Sequence, residues 1–339
     1  MRVLRTVRGD VPLQDVGHIQ PHEHVLSNIG GTSTQQGSAI PSMEEIRLDN
    51  YYEIRRHHSA FDMVVNDVDD AVEELSAYRR QGGSAIVDAT SVGLGRDPEG
   101  LVRVAERTGL HIVMGSGYYH HDYHPPELAD RSREAIAAEI HADVVDGVTD
   151  GVRAGLIGEI GLGWPVHEAE ARVLSAAVDA QRATGAALMV HPGRHTEAPA
   201  DAMRRIIADG GDTQRVIMSH IDRTLFELDA MLALADTGCY LEFDLFGQES
   251  SYYPLADIDM PNDATRVDHL VALTERGHGD RLLVSQDICV KSHLQKYGGE
   301  GYGHLLRNVV PLMRRKGFDD DAIHRLTVRN PLEVLGIAA

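Results

Sequence analysis

Residues 17–24 read Gly-His-Ile-Gln-Pro-His-Glu-His, a short run that ends in two histidines separated by one residue. Side chains two apart on an extended strand point to the same side, so His22 and His24 lie about 6.6 Å apart at the backbone and can converge on one ion. Neutral imidazole is a common zinc ligand. The pair alone is weak support for a metal site, because a chain with 19 histidines forms such pairs by chance.

Seven further β-like runs follow along the chain, and amphipathic stretches separate most of them. Repeated alternation of strand and helix implies a parallel sheet. Eight repeats in 339 residues fit a closed (β/α)8 TIM barrel better than an open sheet, and no glycine-rich dinucleotide fingerprint follows an early strand. The further runs are residues 84–91, 111–116, 155–160, 186–191, 215–220, 239–243 and 281–285, and the predicted helices are residues 68–81, 98–108, 168–184, 200–209, 228–237 and 266–276.

Two long segments interrupt this spacing. Residues 25–83 separate the first two runs and hold a small polar stretch at 30–42 and an aromatic, histidine-containing stretch at 51–61. Residues 118–150 follow the third run. Long insertions after barrel strands usually build the mouth of the active site. Residues 319–337 predict one or two closing helices, with a break at Asn330-Pro331.

The charge and cysteine content exclude several classes of protein. The chain carries 52 acidic and 32 basic side chains, a formal net charge of −20, which argues against nucleic-acid and membrane partners and favours a small-molecule substrate. Two cysteines, Cys239 and Cys289, are too few for a disulfide framework. Without a signal-peptide pattern at the N terminus, we expect a cytoplasmic protein. No composition shift marks a linker, so we expect one domain over residues 1–339.

Four more candidate metal ligands lie at the ends of later runs: Glu159, His191, His220 and Asp287. A parallel barrel places function at the C-terminal ends of its strands, so these residues and the histidine pair would converge. Six nitrogen and oxygen ligands exceed one tetrahedral zinc site and suit two divalent ions if one carboxylate, naturally Glu159, bridges them. Zinc is the expected metal, although manganese, cobalt and iron accept the same ligands.

These residues carry a resemblance to a known family. The chain resembles the phosphotriesterase family of the amidohydrolase superfamily over nearly its whole length, with the motifs in the family's order. The matching stretches are Pro21-His22-Glu23-His24, Gly158-Glu159-Ile160-Gly161 with Trp164-Pro165, His191-Pro192-Gly193-Arg194, Ser219-His220-Ile221-Asp222-Arg223, Ser285-Gln286-Asp287, and Lys296-Tyr297-Gly298-Gly299 with Gly301-Tyr302.

The resemblance implies a (β/α)8 metal-dependent hydrolase with a binuclear centre, and a homodimer is the family expectation. It also implies an assignment of ligands to ions. Under that assignment, a buried ion is held by His22, His24 and Asp287, a more exposed ion by His191 and His220, and Glu159 bridges the two.

One position departs from the founding phosphotriesterases, which bridge their ions with a carboxylated lysine at the end of strand four. This chain has Glu159 there and no lysine before Lys291, so a carbamate at that position is impossible. Glutamate keeps the charge and the two oxygens on a shorter arm. The departure favours the glutamate-bridged, phosphotriesterase-related branch and argues against inherited phosphotriesterase activity.

The expected reaction is attack of a metal-bridging hydroxide on an amide or ester carbonyl, with Asp287 accepting the proton and passing it on. A small acylated substrate with an anionic end, such as an N-acyl amino acid or an N-acyltaurine, is favoured. A lactonase, a carboxylesterase or a phosphotriesterase would use the same centre. A ligand-binding barrel without turnover is an alternative of another class, and a mononuclear deaminase-type member is disfavoured because it needs no bridge at Glu159.

Four residues outside the ligand set are candidate substrate contacts. Arg194 follows His191 closely, and its guanidinium offers a planar fork to a carboxylate or a sulfonate. The others are Tyr119, Lys291 and Tyr302, which follow predicted strands. The adjacent histidines at 57 and 58 diverge in any regular structure, so we expect ordinary loop or helix positions for them.

Overall fold

The computed structural model describes residues 2–30, 43–250, 253 and 255–339. Each predicted run overlaps one strand of a single eight-stranded parallel sheet. The strands of the described chain are β1 (Arg2–Thr6), β2 (Gly9–Pro12), β3 (His18–Glu23), β4 (Ser27–Asn28), β5 (Val64–Val65), β6 (Gly83–Asp88), β7 (His111–Ser116), β8 (Leu156–Gly161), β9 (Ala187–His191), β10 (Val216–Met218), β11 (Tyr240–Phe243), β12 (Leu282–Val284) and β13 (Ile337–Ala338).

The sheet curls into a nearly closed barrel. Its strands follow the order β12-β11-β10-β9-β8-β7-β6-β3. Two backbone bonds join the first and last strand ends: the Asp287 N–H donates to the His22 carbonyl at 3.2 Å, and the His24 N–H donates to the Ile288 carbonyl at 3.1 Å. The prediction of a (β/α)8 TIM barrel is confirmed.

Helices lie between the barrel strands, and local signals explain where they begin and end. The Asp97 side chain accepts the Gly100 N–H at 2.8 Å, Pro98 opens the following helix, and Gly109 ends it with a left-handed φ of 70°. The described helices are α1 (Tyr51–His57), α2 (Val68–Arg80), α3 (Pro98–Thr108), α4 (Arg133–Val145), α5 (Glu168–Thr184), α6 (Ala198–Ala208), α7 (Ile221–Thr224), α8 (Leu228–Ala235), α9 (Asp263–Leu273), α10 (Val310–Arg315), α11 (Asp320–His324) and α12 (Asn330–Leu335).

The long segments differ from the sequence expectations. Residues 118–150 are not only a loop at the mouth, because they contain α4, which packs against α5. The first insertion contains α1 and the paired strands β4 and β5, while the polar stretch at 31–42 lies outside the described residues. The expected break at Asn330-Pro331 is wrong. Pro331 lies in the first turn of α12, directly after a π-helical turn at Arg325–Arg329, and the chain stays helical through both segments.

The packing divides the barrel interior into an apolar lower half and a polar upper end, where the strands finish. On β9, Leu188 and Val190 pack towards the helices, Met189 joins the inner apolar cluster, and His191 ends the strand. Leu4 of β1 belongs to that inner cluster. Because apolar side chains fill the lower half, the polar side chains collect at the C-terminal ends of the strands. No described helix is both long and apolar enough to cross a membrane.

Candidate metal centre

Six polar side chains meet at the C-terminal end of the barrel. They come from five strands, β3, β8, β9, β10 and β12, or from the three residues that follow each of them. Their side chains are between 0 and 15% exposed. The structure thus brings together every residue predicted as a metal ligand: His22, His24, Glu159, His191, His220 and Asp287.

Glu159 occupies the middle of this group. Its Oε1 lies 2.7 Å from His191 Nδ1 and 2.9 Å from His220 Nε2. The same oxygen lies 3.6 Å from His22 Nε2, and Oε2 lies 3.9 Å from His24 Nε2. One carboxylate therefore faces both histidine groups at once, which is the geometry that a bridging ligand requires.

Asp287 lies on the other side of the first histidine pair. Its Oδ1 is 3.3 Å from His24 Nε2 and 3.7 Å from His22 Nε2. With 15% of its side chain exposed, Asp287 is the most accessible member of the group. A group at that position can exchange a proton with a molecule in the cavity.

Two of the six residues have a strained backbone conformation. His220 has a φ of 55° and Asp287 a φ of 49°. Residues other than glycine adopt this left-handed region only where their surroundings impose it, and such strain clusters at functional sites. At His220 the surroundings include the Asp244 carboxylate, which accepts the backbone N–H at 2.9 Å.

Two buried carboxylates that the sequence prediction missed support the histidines from β11 and the residue after it. Glu242 Oε2 lies 3.0 Å from His22 Nδ1. Asp244 lies 3.1 Å from His22 Nδ1 through Oδ2 and 2.9 Å from His220 Nδ1 through Oδ1. Such carboxylates fix the ring orientation and leave Nε2 for a metal. The signal was present, because two acidic residues alternate with apolar ones at 240–244 of a buried strand.

His24 has a comparable support on the opposite side. The Thr90 hydroxyl lies 2.9 Å from His24 Nδ1 and donates to the Asp88 carboxylate. All three side chains are buried. Each histidine of the first pair is therefore oriented through Nδ1.

Burial and charge act against each other in this group. Burial raises the pKa of the Glu159 carboxyl, but the surrounding rings of His191 and His22 outweigh burial and hold that pKa well below its usual range. Burial lowers the pKa of His220, but the charge of Asp244 outweighs it and raises the pKa to about 9. Burial raises the pKa of Glu242 to about 7. The buried carboxylates thus stabilise positive charge placed between them. Bound divalent cations would supply such charge.

The side chains present fit a metal ion. His22 Nε2 is buried without a hydrogen-bond partner in the described part of the chain, and it faces Glu159 and Asp287. Imidazole nitrogens and carboxylate oxygens are the donors that zinc and related transition metals take. Three overlapping triads of such atoms lie within 4.8 Å of one another: His22, His24 and Glu159; Glu159, His191 and His220; His22, His220 and Asp287.

A cavity of about 240 Å³ opens above this group, and two of the predicted substrate contacts line it. Arg194 Nε donates to the Tyr253 hydroxyl at 3.0 Å. The Tyr119 hydroxyl lies 3.1 Å from His191 Nδ1. Both side chains are therefore within reach of a molecule that occupies the cavity beside His191.

A second arginine of the cavity, Arg223, was not predicted. It is 1% exposed, and its Nη2 lies 3.0 Å from His191 Nε2. Neither Arg194 nor Arg223 forms an ion pair with an acidic side chain within the described residues. A buried guanidinium without a carboxylate is costly unless an anion meets it. Arg223 belongs to the stretch Ser219-His220-Ile221-Asp222-Arg223, but its position beside Asp222 is typical of an ordinary charged pair and does not by itself indicate an anion site.

Lys291 and Tyr302, the other predicted contacts, do not line the cavity. Lys291 Nζ lies 4.1 Å from the centre of the Phe61 ring and donates to the Phe61 carbonyl at 3.2 Å. The buried Tyr302 hydroxyl donates to the His24 carbonyl at 2.8 Å, which supports a candidate ligand from behind. Contact of these two residues with substrate stays a prediction.

Comparison with known proteins agrees with this geometry. Residues 2–335 match the model of the phosphotriesterase family. Human N-acetyltaurine hydrolase is 37% identical over 341 residues, which cover 98% of this chain and 97% of that protein. A resiniferatoxin-binding protein from Rhodobacter sphaeroides is 32% identical, with a TM-score of 0.92 over 98% of this chain and 94% of that structure. A lactonase from Listeria monocytogenes, 20% identical, shares the fold with a TM-score of 0.82 over 99% of this chain and 100% of that structure.

The family match and the full-length relatives confirm the resemblance that the sequence motifs indicated. The family is one of metal-dependent hydrolases, and the structure places candidate metal-binding side chains at the functional end of the barrel. This chain belongs to the phosphotriesterase family and is a metal-dependent hydrolase.

Proposed function

We propose that this chain hydrolyses a small N-acylated substrate with an anionic end, at a centre of two divalent ions. The observation that carries the proposal is the position of Glu159, whose single carboxylate lies between the two histidine groups. Bound ions, zinc foremost with manganese, cobalt and iron as alternatives, would activate a water molecule and polarise the scissile carbonyl. One ion would be held by His22, His24 and Asp287, the other by His191 and His220, with Glu159 shared.

The protein's own groups would handle the proton and the developing charge. Asp287, the most exposed of the six, accepts a proton from the attacking water and gives it to the leaving group. The Tyr119 hydroxyl beside His191 is placed to donate a hydrogen bond to the carbonyl oxygen as it gains negative charge. Glu242 and Asp244 keep the His22 and His220 rings in orientation throughout.

Two arginines would bind the anionic end. Arg194 and Arg223 both line the cavity, Arg223 is buried and Arg194 is half-buried, and neither has an acidic partner in the described part of the chain. A carboxylate or sulfonate would balance their charge. Several relatives, including the human and Tetraodon nigroviridis proteins at 37% and 36% identity, are named N-acetyltaurine hydrolases, which supports an N-acyltaurine or N-acyl amino acid substrate.

Hydrolysis of a matched panel by the metal-loaded protein tests this proposal. The panel holds N-acetylglycine, N-acetyltaurine, an aryl acetate, a γ-lactone and an aryl phosphotriester. We expect preference for the two acylamides and, in Arg194→Gln and Arg223→Gln, a KM for them raised at least about tenfold, the usual size of a lost charge-assisted contact. Arg204→Gln, on the exposed face of α6, is the control.

Other outcomes would redirect the proposal. Turnover of only the lactone, the ester or the phosphotriester, with no effect of the arginine variants, would overturn the anionic substrate. Absence of turnover on the whole panel would favour a ligand-binding barrel.

We further propose that the protein is a cytoplasmic homodimer made of one domain over residues 1–339. Both cysteines are free, and Cys239 is buried, which suits a reducing compartment. Light scattering after gel filtration tests the dimer, and a single cooperative unfolding transition tests the single domain. A monomeric mass or two separate transitions would contradict these two proposals.

A further inference from the structure

One histidine outside the candidate metal centre has an unusual backbone conformation. His58 follows α1 with φ 55° and ψ 156°, close to a region that is essentially restricted to glycine. A residue other than glycine persists there only where its surroundings hold it. The sequence prediction of an ordinary position fits His57, whose side chain is 65% exposed, and is wrong for His58.

A fully buried carboxylate orients the His58 ring. Asp62 Oδ2 lies 2.7 Å from His58 Nδ1, and Asp62 Oδ1 accepts the Ser292 N–H at 2.7 Å. The Asp62 carbonyl accepts the Lys291 N–H at 2.8 Å. The ring is therefore fixed by the first insertion and by the loop after β12 together.

The other ring nitrogen remains available. His58 lines the cavity, and no residue in the described ranges hydrogen-bonds to its Nε2. With Nδ1 occupied by Asp62, Nε2 is the atom that His58 can offer to a bound molecule. A nitrogen held this way either donates to or accepts from a hydroxyl group.

His58 and the two arginines lie on different sides of the mouth. Arg194 follows β9 and Arg223 follows β10, whereas His58 is tied to the loop after β12, three strands from β9 in the barrel order. On the His58 side, Arg55 is paired with Glu300 at 3.0 Å, so its charge is balanced, and Arg56 donates to the Tyr52 hydroxyl at 2.8 Å. This side therefore suits a neutral polar group, while the arginine side suits an anion.

We infer that His58 Nε2 hydrogen-bonds the acyl half of the substrate, and that the preferred acyl group carries a neutral hydrogen-bonding group such as a hydroxyl. The inference rests on the proposed function, which places the anionic half at Arg194 and Arg223. His58 is then a specificity-determining residue, and Asp62 is a positioning residue that acts through it.

The test compares kcat/KM for N-acetylglycine and N-(hydroxyacetyl)glycine, whose acyl groups differ by one hydroxyl. We expect the wild type to prefer the hydroxyacetyl compound by about tenfold, the worth of one hydrogen bond in a closed site. The side-chain amide of His58→Gln reaches the place of Nε2 and should keep most of that preference. His58→Asn retains only the contact to Asp62 and should bring the ratio close to one.

The variants separate recognition from structural support. The thermal unfolding temperature of His58→Asn checks that this variant folds. Asp62→Asn should lower the preference for the hydroxyacetyl compound through KM rather than kcat. The controls are His57→Gln and His57→Asn, at an exposed histidine. Equal use of both compounds by the wild type, or preference kept in His58→Asn and lost in His58→Gln, would overturn the inference while the proposed function stands. If neither compound is hydrolysed while N-acetyltaurine is, the inference is overturned and the proposed function stands; if N-acetyltaurine is not hydrolysed either, both are overturned.

Discussion

At the scale of single residues, the candidate centre depends on groups that orient the histidines rather than on the histidines alone. Asp244 touches the His22 and His220 rings at 3.1 and 2.9 Å and also accepts the His220 N–H. It thereby links both sides of the group across Glu159. Removal of one such support typically lowers metal affinity by about 10- to 100-fold.

We therefore expect Asp244→Asn to weaken metal binding by that factor, because the amide keeps the shape of the carboxylate but loses its charge and one acceptor oxygen. Competition with a chromophoric zinc chelator measures the change. Asp236→Asn, which alters an exposed carboxylate, should bind metal like the wild type. Unchanged affinity in Asp244→Asn would remove Asp244 from the centre.

The buried His18 makes the stability of the protein depend on pH. His18 is buried, its Nδ1 lies 2.8 Å from the Tyr78 hydroxyl, and its Nε2 has no partner within the described ranges. Burial lowers its pKa from 6.5 to about 4. The folded state thus favours neutral His18. Its contribution to the free energy of unfolding is fully present above pH 6.5 and is lost as the pH falls from 6.5 to about 4.

The loss amounts to about 3 kcal/mol over that window. His18→Gln should flatten the pH dependence of the free energy of unfolding between these values, and urea unfolding at several pH values measures it. His57→Gln, at an exposed histidine, should leave the slope unchanged. A wild-type slope equal to that of His18→Gln would contradict a buried neutral His18.

Most of the site was visible in the sequence at this scale, and the exceptions have physical reasons. Each of the six predicted ligands lies at the end of an apolar run, where a polar side chain is conspicuous. Arg223 gave no such signal, since adjacent opposite charges are common on surfaces. The role of His58 depends on its φ of 55° and on Asp62, neither of which a pattern of residue types reveals.

At the scale of elements, the alternation of apolar runs with amphipathic stretches was sufficient to locate most barrel units. The predicted helices at 98–108 and 168–184 match α3 and α5, whose first turns are capped by Asp97 and His167. The helix α4 escaped prediction because its apolar residues do not gather on one face, although Ser132 caps it through the Ala135 N–H. The strand β13, with two residues, is too short to stand out.

The cap of α3 supplies a test at this scale. Asp97→Ala removes the acceptor of the Gly100 N–H, and we expect a loss of about 1 kcal/mol in the free energy of unfolding. Urea unfolding measures it, with Glu99→Ala in the same first turn as the control. A loss no larger than that of the control would show that Asp97 does not hold the helix end.

At the scale of the whole molecule, the barrel concentrates carboxylates and histidines at one end of an apolar interior. Such a cluster is stable when a cation balances it, and metal binding is then coupled to folding. We expect chelator treatment to lower the thermal unfolding temperature by several degrees and added zinc to restore it. In Glu159→Gln, added zinc should restore little of the unfolding temperature. A wild-type unfolding temperature that the chelator does not change would contradict the coupling of metal binding to folding.

The central claim, a shared carboxylate between two ions, is tested most directly by counting metal. Elemental analysis of the metal-loaded protein, wild type beside Glu159→Ala, gives the number of ions per chain. We expect about two ions in the wild type and at most one in the variant, because removal of a bridge weakens both positions. One ion per chain that persists unchanged in Glu159→Ala would contradict the bridging role and favour a mononuclear centre.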